Sequence, residues 1–106
     1  MLTFKKMSRS QLEKHIRSVA VHSNLIFITV HARAQMRKRN VLDAEVYHCL
    51  RKGKIALEPE EDMRTGHLIC RAECYGSSRN VAVCVALDDT DPNLIVVTVI
   101  VKKEDS

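Results

Sequence analysis

The sequence predicts an α+β domain in which two or three N-terminal helices pack on an antiparallel sheet of about four strands. Apolar residues recur every three or four positions up to Gly53 and every two after it, the change of period that separates helix from strand. The chain has 106 residues, room for one core, so 1–106 is read as a single domain. Hydrophobic residues make up 45% and charged residues 28%, a balance that argues against intrinsic disorder.

Ser10-Gln11-Leu12-Glu13 fits a capping box, so the first helix is expected to start there. Leu12, Ile16 and Val19 form its apolar stripe, with His15 at the margin and Lys14, Arg17 and Ser18 outward. Ser23-Asn24 breaks the pattern. Leu25 to Val30 then reads either as a short strand or as an extended entry into the next helix. Thr29 is the expected N-cap of a second helix running to Arg39, with Ala32 and Met36 toward the core and Asn40 ending it. The third helix begins near Asp43 with a stripe of Leu42, Val46, Cys49 and Leu50. Arg51 and Lys52 complement its C-terminal dipole, and Gly53 is expected as a left-handed stop.

Lys54 to Glu58 is a candidate first strand, ended by Pro59 and the acidic loop Glu60-Glu61-Asp62. From His67 to Tyr75, Leu68, Cys70, Ala72 and Cys74 alternate with a mostly polar set, the pattern of a strand with one buried face. Gly76-Ser77-Ser78 marks a turn, so Arg79 to Leu87 should pair antiparallel with that strand. Val81 to Leu87 and Leu94 to Val101 are apolar on both faces and are the expected central strands. Asp88 to Asn93 would connect them, with Lys102 to Ser106 a charged tail. Leu68, Cys70, Val83, Val85, Val96 and Thr98 are expected in the buried part of the sheet. Strands apolar on both sides need cover on both, which a homodimer or the N-terminal helix would supply.

Composition narrows the function classes. Leu94 to Val101, the longest apolar stretch, is broken by Thr98 and falls far short of the ~20 residues that span a bilayer. The N-terminus lacks the apolar core of a secretory signal, so a cytoplasmic protein without a membrane partner is expected. Cys49, Cys70, Cys74 and Cys84 all sit within apolar patterns and read as reduced core thiols. Zinc would need paired knuckle spacing, and Cys70 and Cys74 on a strand would lie ~13 Å apart. No metal or cofactor is expected. Gly-rich phosphate loops, a Gly-x-Ser-x-Gly elbow and a His-Glu-x-x-His helix are all missing, which argues against nucleotide hydrolysis and zinc proteolysis.

Charge is unevenly placed. Residues 1–54 carry twelve Lys/Arg against three Asp/Glu, giving +9, and residues 55–106 carry five against ten, giving −5. Such a division suits a basic face for nucleic acid or for an acidic protein; the plainer reading is that the halves neutralise each other on folding. On the second helix, Arg33, Arg37, Lys38 and Arg39 are the candidate nucleic-acid-binding residues. Alternatively, His31 caps or packs at the helix start while the arginines pair with Glu58 to Asp62 or simply solvate the surface. With two Tyr, two Phe and no Trp, an aromatic stacking platform for single-stranded bases is not expected.

Metal-free RNA cleavage needs a base, a cation for the phosphorane and an acid for the leaving oxygen. His31 and His67 are candidates for proton transfer, Glu73 for base or orienting group, and Arg71 and Arg79 for holding phosphate, with Arg33 and Arg39 as further cations. His67, Arg71, Glu73 and Tyr75 share strand parity, and Arg79 opens the neighbouring strand, so these groups would gather on one sheet face. The alternative is a solvent-facing strand with cross-strand pairs such as Glu73 with Arg79.

His31-Ala32, Met36 and Arg39, followed by Glu45-Val46, Leu50, Gly53 and Ile55, with Val97-Thr98-Val99 closing, resemble the bacterial family DUF4258 over about residues 26–100. Gln35 stands where that family usually has an arginine. The family is similar in architecture to RelE/ParE-type toxins, which implies a toxin-like nucleic-acid-binding protein, a metal-independent ribonuclease or a gyrase-directed toxin, with an antitoxin-like partner. The alternative is a non-enzymatic protein-interaction module of the same fold. Fold likeness alone does not choose between them.

Overall fold

The computed structural model describes residues 3–75 and 79–102; the turn expected at Gly76-Ser77-Ser78 and the tail after Lys102 lie outside the described residues. Helix α1 spans Arg9–Ala20, and its capping box is Ser8 with Gln11, not Ser10 with Glu13. Ser8 Oγ accepts from the Gln11 N–H at 3.2 Å, and Gln11 Oε1 accepts from the Ser8 N–H at 2.8 Å. Glu13 instead ties α1 to the sheet, its carboxylate accepting the Ile55 N–H at 2.7 Å. Leu12, Ile16 and Ala20 are buried, while Val19 is only partly so.

The segment from Leu25 to Val30, open to two readings in the sequence, contains a strand, β1 (Ile26–Ile28). It leads directly into helix α2 (Val30–Arg39), capped by Thr29, whose hydroxyl accepts from the Ala32 N–H at 3.2 Å and donates to the Val96 carbonyl at 2.9 Å. Ala32 and Met36 are buried as the spacing predicts. Asn40 ends α2 at φ 55°, a left-handed conformation that asparagine tolerates better than most residues.

Helix α3 (Asp43–Lys52) buries Val46, Cys49 and Leu50, but Leu42 is its exposed N-cap and not part of the stripe. Leu42 has no side-chain oxygen to offer, so only half a capping box forms: Glu45 accepts the Leu42 N–H at 3.1 Å. Arg51 Nε donates to the Ala20 carbonyl at 2.7 Å and ties α3 to the end of α1. Gly53 is extended at φ −71°, correcting the left-handed stop. Its missing side chain matters because a Cβ there would lie 2.4 Å from the Cys49 carbonyl oxygen and 2.9 Å from that of Glu73.

Among the described residues the sheet has six strands and is mixed rather than wholly antiparallel. Besides β1 it contains β2 (Lys54–Ile55), β3 (Glu60–Glu61), β4 (Leu68–Tyr75), β5 (Asn80–Asp88) and β6 (Asp91–Lys102). The order is β1-β6-β5-β4-β2, with β3 also on β4, and β1 runs parallel to β6. The expected strand at Lys54 to Glu58 is only two residues long, and the acidic loop contributes the short β3. The expected loop from Asp88 to Asn93 shrinks to Asp89-Thr90, where Asp88 accepts from the Thr90 N–H and hydroxyl at 3.0 and 2.8 Å.

The three α-helices of the described residues lie on one face of the sheet, where Leu12, Ile16, Met36, Val46 and Leu50 share a core with Cys70, Val83, Val85, Leu94, Val96 and Val99. Pairing shifts between Cys84 with Thr98 and Val85 with Val96, so Val97 is an extra residue and β6 bulges. The bulge brings both Val96 and Val99 into the core and puts Thr98 on the other face, where it is half-buried. Gln35 Oε1 accepts the Val99 N–H at 2.9 Å just past the bulge, so this side chain ties α2 to β6.

Candidate phosphate-binding surface and its neighbouring cleft

The exposed end of α2 carries Arg37, Lys38 and Arg39, and none of them forms an ion pair among the described residues. Two of the acids expected to neutralise them are engaged elsewhere. Glu58 takes Arg9 at 3.0 Å and Glu61 takes Lys5 at 2.6 Å, so these two acids are met by the N-terminal segment and not by α2. Arg33 is held by Asp43, at the start of α3. Of the four candidate cations on α2, three therefore remain unneutralised by contact.

Arg79 stands immediately before β5 and does not join Glu73. Its guanidinium donates to the Arg39 and Asn40 carbonyls at 3.0 and 2.7 Å and to Glu45 at 2.8 Å, clamping the α2 end to the α3 start. Partial burial pulls the Glu45 carboxyl up, but the Arg79 guanidinium and the Leu42 N–H outweigh it and hold the group below the usual carboxylate range.

On the helix-free face of the sheet, Glu73 lies between two cations, Arg71 at 3.5 Å and Lys102 at 2.5 Å, with only 10% of its side chain exposed. Arg71 Nε is buried and misses hydrogen-bond geometry with that carboxylate. His67 sits at the far end of β4, its Nε2 3.3 Å from Asp88. The Thr90 N–H and hydroxyl, followed by His67, hold the Asp88 carboxyl below its ordinary value. From Asn80 to Asp88 the strand rises ~26 Å, so Arg79 and His67 occupy opposite ends of the sheet. His31 is exposed near the start of α2, in the helical layer. The fold thus brings Arg71 and Glu73 together but leaves His31, His67 and Arg79 apart from them.

Near the Arg79 end, β4 outruns the two-residue β2 and leaves a cleft of about 540 Å³ against the last turns of α3. Glu13, His48, Lys52, Lys54, Ile55, Ala56, Glu73, Cys74 and Tyr75 line it. Sequence reasoning missed the cationic side of this cleft. His48 and Lys52 are four apart on the polar side of α3, a legible stripe, but the helix dipole already accounts for Lys52 and a strand for Lys54.

The four cysteines are unpaired thiols, and burial pushes those of Cys49 and Cys70 up to about 12. Among the described residues, no three His, Cys, Asp or Glu side chains converge as a metal site requires, and no helix is long and apolar enough to cross a membrane.

One family model, described as a domain of unknown function (DUF4258), matches residues 28–101. No curated protein and no solved structure matches the chain.

Proposed function

The chain belongs to the DUF4258 family, and on that premise we propose that it is a nucleic-acid-binding protein of the toxin-like kind, gripping the phosphate backbone of RNA with the end of α2. One observation carries this: Arg37, Lys38 and Arg39 stay without carboxylate partners among the described residues, while Glu58 and Glu61 of the acidic stretch are paired with Arg9 and Lys5. Unspent, adjacent cations on an exposed helix end are the electrostatic footprint of phosphate binding. Helices covering one face of an open sheet support the RelE/ParE-type likeness within this reading.

The proposal stops at binding. Glu73 is already neutralised by two cations, Arg79 is spent on Glu45 and two carbonyls, and His67 faces Asp88, so among the described residues no histidine stands beside an arginine pair in a concavity. Binding to single-stranded RNA should weaken by about 0.7 log units per log salt for each phosphate neutralised, and Arg37→Ala/Lys38→Ala/Arg39→Ala should lower that slope by roughly two. Fluorescence anisotropy across a salt series measures it. An unchanged slope in the triple variant overturns the reading. Failure of the native chain to bind RNA or DNA at ~50 mM salt would give the cations to an acidic, antitoxin-like protein instead.

A second reading, self-association to a homodimer through the helix-free face, is favoured by Phe27, 59% exposed beside the half-buried Ile95 with which it is in register.

A further inference from the structure

We infer that the cleft between α3, β2 and the end of β4 binds a nucleoside phosphate, with Lys52 and Lys54 on the phosphate and Tyr75 against the base; this deepens the proposed function and rests on it for the polymer concerned. Which lining groups are free to act decides the chemistry of the ligand. Glu13 is committed to the Ile55 N–H, and Glu73 to Lys102 and Arg71. His48, Lys52 and Lys54 make no ion pair or side-chain hydrogen bond among the described residues. The unspent polar groups of the cleft are therefore cationic or, in His48, able to become so.

The negative end of α3 would ordinarily repel an anion here. Arg17 offsets it, donating to the Gly53 carbonyl at 3.0 Å, and Arg51 adds a second guanidinium in the last turn. Lys52 and Lys54 thus remain for a ligand. Ile55, Ala56 and Cys74 supply an apolar wall, and Tyr75 is 78% exposed, so its ring is open to a planar partner. About 540 Å³ lies within the range of small-molecule sites, and one aromatic ring suits one base rather than a stacked run.

Position links the cleft to the α2 surface. Tyr75 pairs with Asn80, the residue after Arg79, and Arg79 holds the last carbonyls of α2. Both surfaces therefore sit at the same end of the sheet, so one strand can lay its backbone on α2 and present a nucleotide to the cleft.

The test is an amide chemical-shift titration of the full chain with adenosine 5′-monophosphate, adenosine and inorganic phosphate in separate arms. The monophosphate should shift His48, Lys52, Lys54, Ala56 and Tyr75. Tyr75→Ala should weaken its binding about tenfold, and Lys52→Ala/Lys54→Ala should weaken both monophosphate and phosphate by at least as much. All three side chains lie at the surface, so these variants keep the fold, as circular dichroism would verify. Competition of a short RNA by the monophosphate assigns the cleft to a nucleotide of the polymer; binding without competition assigns it to a free nucleotide, and both support the site. Absent or scattered shifts, or variants that bind like the native chain, overturn it. If RNA binding meanwhile still depends on Arg37, Lys38 and Arg39, the backbone reading survives. Cleft shifts with no RNA binding would keep the nucleotide site and overturn the backbone reading.

Discussion

Gly53 is the residue where the helical half of the chain meets the sheet, and close approach rather than turn geometry demands a glycine there. Its φ of −71° suits any L-residue, yet a Cβ would stand 2.4 Å from one backbone oxygen and 2.9 Å from another. Neither oxygen can move without shifting the end of α3 or the edge of β4. Gly53→Ala should therefore cost about 3 kcal/mol in urea unfolding. Gly66 makes the opposite case, with φ 77° and open space around it, so Gly66→Ala should cost only about 1 kcal/mol from backbone strain. Equal losses would show that contact at Gly53 is not the cause.

At the scale of elements, the Arg79 clamp joins α2, α3 and the start of β5. Arg79→Ala removes its bonds to Glu45 and to the Arg39 and Asn40 carbonyls, an expected loss of about 2 kcal/mol. Glu45 also predicts a pH dependence. Its folded pKa lies below the ordinary value of 4.5, so its stabilisation is fully present above that value and is lost as pH falls through the lowered one. With Arg79 replaced, burial opposes ionisation with only the Leu42 N–H against it, and the group should titrate at a higher pH than in the native chain. Side-chain carboxyl NMR reads this directly; an unmoved Glu45 would remove the clamp from the explanation.

On the scale of the whole molecule, a radius of gyration of 13.1 Å is that of one compact domain, but among the described residues its sheet is covered by helices on one side only. Ala82 and Ala86 are buried on the uncovered side, and Phe27 beside Ile95 is left open. Self-association by this face predicts a concentration-dependent sedimentation coefficient, abolished by Phe27→Asp with less than about 1 kcal/mol lost from the folded chain, because Phe27 is already largely exposed. A native chain that sediments as a monomer at all concentrations would exclude it.

The sequence alone determined the α+β class, an N-terminal helical half of two or three helices with Thr29 and Asn40 bounding α2, and the alternating burial of β4, because these depend on periods and caps within a few residues of one another. It also made the cations of α2 legible. Whether they would be neutralised was a different matter, since that required knowing that Lys5 and Arg9 reach Glu61 and Glu58 across some fifty positions. Tertiary structure decided the parallel pairing of β1 and the bulge at Val97, which turned Thr98 away from the core. It likewise sent Arg79 to Glu45 and opened the cleft of Lys52, Lys54 and Tyr75, because long-range packing sets which side chains meet and local pattern carries no record of it.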